Sequence, residues 1–268
     1  MFAFKYLFKG PYSIVTSANN RQLLKLMAKY GDVPRYHQKN ISFLNYTFVV
    51  PDCMSFLFQF QEIFADEFYK FSTKELKPVI LDCGANIGMS CAYFSALYPA
   101  AQITAYEADA KIADILKENI RTNSIPNVSI INKAVWIDDK GIEFASEGSD
   151  GASIFGAGEK VNVESIRLKD ALLKLPRVDM LKMDIEGAET AVLKDCAEAL
   201  SAVENMFIEY HSFPGQKQEL HEILHILSEN NFRYYISSAQ DRKSPFINHL
   251  YRGNTVMDLQ LNIFAYKA

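Results

Sequence analysis

The sequence predicts an α/β protein built on a doubly wound, mostly parallel seven-stranded sheet, with an antiparallel insertion and an N-terminal helical cap. Three observations carry that prediction. From Pro78 onward, short apolar runs alternate with helical stretches, the pattern of strands covered by helices on both faces. The run Val79–Ile80–Leu81 passes through Asp82 and Cys83 into a turn bearing Gly84 and Gly88, and a helix follows over Met89 to Leu97. A chain of 268 residues, 49% hydrophobic and 22% charged, is long and apolar enough to bury a sizeable core.

Residues 1–76 precede the sheet pattern and read as a cap or extension; residues 77–268 read as the main domain. In the cap, Gln22 to Tyr30 has helical periodicity with Gly31 as a stop, and Ile41 to Val50 is a strand or hairpin ending at Pro51. Ser55 to Phe68 reads as a helix with Phe56, Phe60, Phe64 and Phe68 every four residues. That stripe serves either as core packing or as a lid over a ligand. In the main domain, Ile103 to Tyr106 is the second strand, ending at Glu107, and Asp109 caps a helix over Ala110 to Asn119. Val128 to Asn132 is the third strand, continued by Lys133 to Trp136.

The insertion comes next. Asp139–Lys140–Gly141 is a turn, Ile142 to Ser146 a strand, and Gly148, Gly151, Gly156 and Gly158 mark a loop before a strand over Lys160 to Ile166. Leu168 to Leu173 is a short helix, Val178 to Met183 the fourth parallel strand, and Ala188 to Leu200 a helix. Ala202 to Glu209 is the fifth strand, Gln218 to Asn230 a helix, and Phe232 to Ile236 the sixth strand. Asn262 to Tyr266 closes the chain as an antiparallel edge strand.

The glycine turn is a nucleotide-type site, because Gly84 and Gly88 admit a tight turn and the following helix offers free amide groups. A dinucleotide fingerprint requires a glycine where Asn86 stands, and a Walker loop requires lysine where Met89 stands. Asp82 repels a pyrophosphate and welcomes an ammonium group. S-adenosylmethionine combines an ammonium, a carboxylate and a ribose, and the passage resembles the first motif of class I S-adenosylmethionine-dependent methyltransferases. Glu107, with Ala108 beside it, ends the next strand, where a carboxylate accepts both ribose hydroxyls. Asn132 and Ala134, at the end of the third strand, are placed to line the adenine. A nicotinamide-dependent oxidoreductase and a nucleoside-binding module without transfer activity are the alternatives.

Further motifs extend the resemblance. The order Asp82-Cys-Gly-Ala-Asn-Ile-Gly88, Glu107, Leu181-Lys-Met-Asp184-Ile-Glu186-Gly187-Ala-Glu189 and Glu209-Tyr-His211 resembles the FkbM family of methyltransferases. The antiparallel insertion with Ser153 and the lead-in Glu62-Ile-Phe-Ala-Asp-Glu-Phe-Tyr69 resemble it too. The resemblance covers roughly residues 50–266 and implies O-methylation of a hydroxyl on a sugar or natural-product small molecule.

An open α/β sheet binds ligands beyond the carboxyl ends of its strands, where Asp184, Glu186, Glu209 and His211 are expected. A hydroxyl acceptor needs a proton-taking group: Asp184 is the first choice, His211 the second, and Glu186 the third catalytic candidate. Glu186 alternatively caps the next helix. Asp184 and Glu186 are also able to hold magnesium, although no metal is predicted.

His221–Glu222–Ile223–Leu224–His225 spells H-E-x-x-H, a zinc protease signature, but no further ligand follows at the expected spacing. Cys53, Cys83, Cys91 and Cys196 show no metal rhythm and read as reduced buried thiols. A net charge of -4 argues against a nucleic-acid partner. Met1–Phe8 lacks the features of a signal peptide and no segment is long enough to span a bilayer, which predicts a cytoplasmic protein.

Overall fold

The computed structural model describes residues 17–146, 159–238, 242–249 and 257–268. The Met1–Phe8 run, Ser153 and the four loop glycines lie outside these residues.

The sheet holds seven strands: β3 (Val79–Cys83), β4 (Gln102–Tyr106), β5 (Val128–Ile131), β10 (Met180–Met183), β11 (Asn205–Ser212), β12 (Phe232–Ser238) and β13 (Leu259–Lys267). Their spatial order is β12-β13-β11-β10-β3-β4-β5, and β13 alone runs against its two neighbours. The last strand is therefore not at the edge, as the sequence suggests. It slots between the fifth and sixth strands, because Ile263 and Ala265 are apolar enough to be buried there and both sides find ladder partners.

Alternation along the strands divides the core. Ile80, Ile103, Ala105, Met180 and Phe207 face one layer, while Leu81, Cys83, Leu181, Met183 and Ile208 face the other. The second layer is closed by α5 (Leu168–Leu172), α6 (Glu189–Cys196) and α7 (Leu220–Glu229). The first is closed by α3 (Met89–Leu97), α4 (Ala110–Thr122) and the N-terminal elements.

Those N-terminal elements are α1 (Ala18–Tyr30), the hairpin β1 (Lys39–Phe43) and β2 (Tyr46–Val50), and α2 (Cys53–Phe60). Helix α1 starts earlier than its apolar pattern because the Ser17 hydroxyl caps it, accepting from the Asn20 amide at 3.3 Å. Helix α2 stops short of Phe68: its last turn widens into a π-helical turn over Gln61–Ala65, closed by the Asp66 amide on the Gln61 carbonyl. Phe56, Phe60 and Phe64 are buried against Phe43 and Tyr93, with ring centroids 5.2–5.8 Å apart, so the stripe is core and not lid.

Among the described residues β2 pairs with β1 alone. The Asn119 side chain accepts from the Val49 amide at 2.7 Å and donates to its carbonyl at 3.1 Å, and Asn123 does the same for Thr47 at 2.7 and 2.9 Å. The Asn119 amide also donates to the Ile87 carbonyl in the glycine turn. One side chain of α4 and one from its C-cap thereby satisfy backbone that would otherwise be orphaned.

After β5 the chain leaves the sheet. Ala134–Trp136 does not continue β5: as β6 it pairs in parallel with β9 (Ser165–Arg167), because a turn at Lys133 redirects it. The inserted antiparallel pair is β7 (Ile142–Ser146) with β8 (Glu159–Val163). All four cysteines are buried and free. Among the described residues no helix is long and apolar enough to cross a membrane.

Candidate active site

A cavity of about 330 Å³ opens at the carboxyl ends of β3, β4, β10 and β11. Its floor is the glycine turn. The Gly84 and Ala85 amides both donate to the Tyr106 carbonyl on β4, at 3.0 and 2.9 Å, which folds the turn back over the sheet. Gly84 has φ +83°, and a Cβ built there would lie 1.8 Å from the Asp184 carbonyl oxygen. Gly88, at φ +93°, opens α3, and its Cβ would press on Leu116 at 2.7 Å. The backbone oxygen excludes any side chain at Gly84, and the positive φ favours glycine at both positions.

Glu107 stands at the end of β4 and faces this floor. Its two carboxylate oxygens accept the Asn86 and Asp109 amides, each at 2.9 Å. Burial pushes its pKa up to about 7, against the pull of those two amides. Asp109 in turn caps α4, accepting from the Lys111 and Ile112 amides.

At the other end of the cavity, acids converge. Glu209 and His211 are two residues apart on β11 and share its cavity face. The sequence ends that strand at Glu209. It continues to Ser212 because β13 pairs with it along its whole length, and this brings His211 into the site. The His211 Nδ1 lies 3.1 Å from the buried Glu189 Oε1, and its Nε2 lies 3.8 Å from Glu186 and 3.9 Å from Glu209. Burial alone would lower the His211 pKa, but Glu189, Glu186 and Glu209 outweigh it and hold the imidazole well above the usual histidine range. Burial and the Asp184 charge push Glu209 well above the ordinary carboxylate range.

Glu189 also accepts the Ile185 and Gly187 amides at 3.1 Å, so one buried carboxylate shapes the Asp184-Ile-Glu-Gly turn and orients His211 together. That turn needs Glu186 and Gly187 at φ +55° and +102°. The functions of Glu189 and Lys182 were not visible in the sequence, though an ionic Lys182 within the apolar strand Met180–Met183 is itself a signal.

Lys182 is buried, with its Nζ 2.7 Å from the Gly84 carbonyl oxygen, 3.4 Å from Asp82 and 3.5 Å from Asp184. Burial opposes its charge, yet Asp82 and Asp184 outweigh that and raise its pKa well above the usual value. Removing one member of a buried pair costs about 3–5 kcal/mol. Lys182→Met is therefore expected to lower the Tm by about 6–20 °C in thermal unfolding. Lys182→Met with Asp82→Asn should recover most of the loss, because no charge is then left buried alone.

Known sequences match the part of the chain that builds this site. The Methyltransferase FkbM domain matches residues 82–234, more than half of the chain. The chain belongs to the FkbM methyltransferase family. Methyltransferase sdnD of Sordaria araneosa is 29% identical over 211 residues, covering 62% of this chain and 79% of that one. The 2-O-methyltransferase NoeI of Sinorhizobium fredii is 27% identical over 167 residues, covering 54% and 66%. The crystal structure of methyltransferase FkbM from Methylobacillus flagellatus KT aligns with TM-score 0.50 and 17% identity over 76% of this chain, which spans about half (46%) of that protein. The SAM-dependent methyltransferase from Agrobacterium tumefaciens aligns with TM-score 0.52 and 10% identity, covering 88% and 72%. At these identities the structural likeness is one of fold: this FkbM methyltransferase has the class I methyltransferase sheet.

Against that fold the expected site residues separate into two groups. Gly84, Asn86, Glu107, Ala108, Ala134, Asp184, Glu186 and His211 all line the cavity. Asp82, Gly88 and Asn132 do not. Asp82 is fully buried beneath the turn, taking the Ser90 hydroxyl and the Cys91 thiol as well as Lys182, so it braces the turn and cannot meet a ligand's ammonium. Asn132 spends its amide on the Glu107 and Ala108 carbonyls at 2.8 and 3.2 Å, fixing the loop and not facing a base.

The cap supplies wall residues that went unnoticed: Ser55, Phe58, Gln59 and Glu62 form one helical face, opposite the phenylalanine stripe. The H-E-x-x-H motif is outside the site. His221 and His225 are exposed on α7, whose inner face is Ile223, Ile226 and Leu227. Among the described residues, the one group of acids and histidines close enough to share an ion is Asp184, Glu186 and His211.

Proposed function

We propose that this methyltransferase uses S-adenosylmethionine to methylate a hydroxyl on a sugar or natural-product small molecule. The observation that carries the reading is that one cavity joins the Glu107 end to the Asp184–Glu209–His211 end. The residues present suit the donor. Glu107 turns its carboxylate on the cavity for a ribose, and the Ala108–Asp109 and Lys133–Val135 segments offer a wall for a base. Asp184 supplies negative charge toward a sulfonium. Bound there, S-adenosylmethionine supplies an activated methyl group for in-line displacement.

The chain's own task is to place the acceptor and receive its proton. In the free protein three carboxylates favour the protonated His211 imidazole, which makes it a weaker candidate for the base than Asp184. Asp184 is the base in this reading, with Lys182 and the glycine turn fixing its position. Glu62 and Gln59 of the cap and Gln260 of β13 frame the acceptor. The name of NoeI, a 2-O-methyltransferase, supports oxygen as the receiving atom. Four free buried thiols and a chain without a membrane-spanning helix among its described residues fit work in the reducing cytoplasm.

Incubation with methyl-labelled donor and a panel of glycosides and hydroxylated natural products tests the reading. Base-stable labelled methyl ether is the expected product, and label appearing only on amines or carboxylates would overturn oxygen transfer to a hydroxyl. The donor site has its own pH signature. Glu107 accepts ribose hydroxyls best when ionised, and in the free protein it gains its proton as pH falls through about 7. S-adenosylhomocysteine should therefore bind more tightly at pH 8 than at pH 6. Glu107→Gln should weaken binding at pH 8 by about tenfold or more and flatten that pH dependence, measured by calorimetry.

A further inference from the structure

Asp184, Glu186 and His211 each place one donor atom within 4.8 Å of the other two. We propose that these three side chains bind one divalent cation of the manganese type at the acid-lined end of the cavity. Two carboxylate oxygens and one imidazole nitrogen form a mixed donor set suited to a first-row transition ion more than to magnesium, which prefers oxygen throughout. Donor atoms about 2.1–2.2 Å from one ion stand about 3–4.4 Å apart, so small side-chain rotations close the site.

The arrangement of His211 is the independent observation. Its side chain is 2% exposed and its Nδ1 is held at 3.1 Å by Glu189, itself 1% exposed. Its Nε2 points into the acid-lined end, and its carboxylate neighbours there, Glu186 and Glu209, stand at 3.8 and 3.9 Å, beyond hydrogen-bond reach. A buried carboxylate behind the far nitrogen is how proteins orient a metal-bound imidazole and fix its tautomer. Here the same Glu189 also holds the Ile185 and Gly187 amides, so it sets the turn that carries the two carboxylate ligands. Charge agrees with this. Glu62, Asp184, Glu186 and Glu209 line this end, and among the described residues one cation faces them: the Lys182 ammonium, 3.5 Å from Asp184 and held more closely by Asp82 and the Gly84 carbonyl. Three protein ligands leave further positions open toward the cavity, where water or a ligand oxygen completes the shell.

The cation site shares Asp184 with the methyl-transfer reading, but its test is binding of metal alone. Chelator-stripped full-length protein is titrated with manganese chloride while the free-ion electron paramagnetic resonance signal is followed. One ion per chain is expected, weakened at least tenfold by Glu186→Gln and by His211→Gln, and about 10–100-fold by Glu189→Gln. A His221→Ala/His225→Ala double variant should bind like the wild type. Cooperative thermal unfolding of each variant shows that its fold is intact. Absence of stoichiometric manganese binding in the wild type overturns the proposal. So does unchanged binding in a folded Glu186→Gln variant, or loss of binding in the α7 double variant.

Discussion

Replacing Asp184 by asparagine is expected to lower methyl-transfer turnover by about 10²–10⁴-fold, with S-adenosylhomocysteine affinity nearly unchanged. Asparagine keeps the shape of the side chain and a hydrogen-bonding oxygen but cannot take a proton. The surroundings tolerate the exchange, because the Asp184 side chain is a quarter exposed and Lys182 keeps Asp82 and the Gly84 carbonyl as partners. The close approach to the glycine turn is made by the Asp184 backbone oxygen, which the substitution leaves in place. Single-turnover rates combined with calorimetric donor binding check the result. Unchanged turnover would move the proton-accepting role to Glu209 or Glu186, the other acids on that wall.

Gly84→Ala should be the most damaging single-methyl change in the molecule. The added carbon would sit 1.8 Å from the Asp184 carbonyl oxygen, a rigid backbone atom, and at a φ of +83° that an L-residue adopts only under strain. Relief requires β3 and the turn after β10 to part, which also pulls the Lys182 ammonium from the Gly84 carbonyl. A cost of about 3 kcal/mol or more follows, a fall in Tm of about 6–12 °C or beyond, with donor binding lost even in the folded fraction. Thermal unfolding with and without S-adenosylhomocysteine reads both effects. A variant with native Tm and full ligand stabilisation would show that the two strand ends separate freely.

The parts of the site legible in the sequence are those set by local order along the chain. Strand, glycine turn, helix and next strand end place Gly84, Asn86 and Glu107 by spacing alone, and all three line the cavity. Asp82 misled because a carboxylate at a strand end reads as ligand-facing. Its true partner, Lys182, lies beside it only through the parallel pairing of β10 with β3, a contact a hundred residues away in sequence. Glu62 went unread for a similar reason: only the fold shows that the polar face of α2 covers the cavity. The place of β13 was missed because five alternating residues fit an edge and an interior strand alike until both neighbours are known.

The pairing of β2 with a helix, by way of Asn119 and Asn123, depends on a coincidence of two rulers. Four residues of α-helix advance about 6 Å, and two residues of strand advance about 6.6 Å. Two amide side chains one turn apart, in the last turn of α4 and at its C-cap, therefore meet Val49 and Thr47, two apart on β2, almost in step. The match is a vernier that drifts with every further repeat, so it holds for two pairs and no longer ladder. Sliding the hairpin by one residue would set both amides against residues whose backbone groups already point to β1, and would strain the hold of Asn119 on the Ile87 carbonyl beside the glycine turn. The alignment of the whole cap is thus gauged by two asparagines.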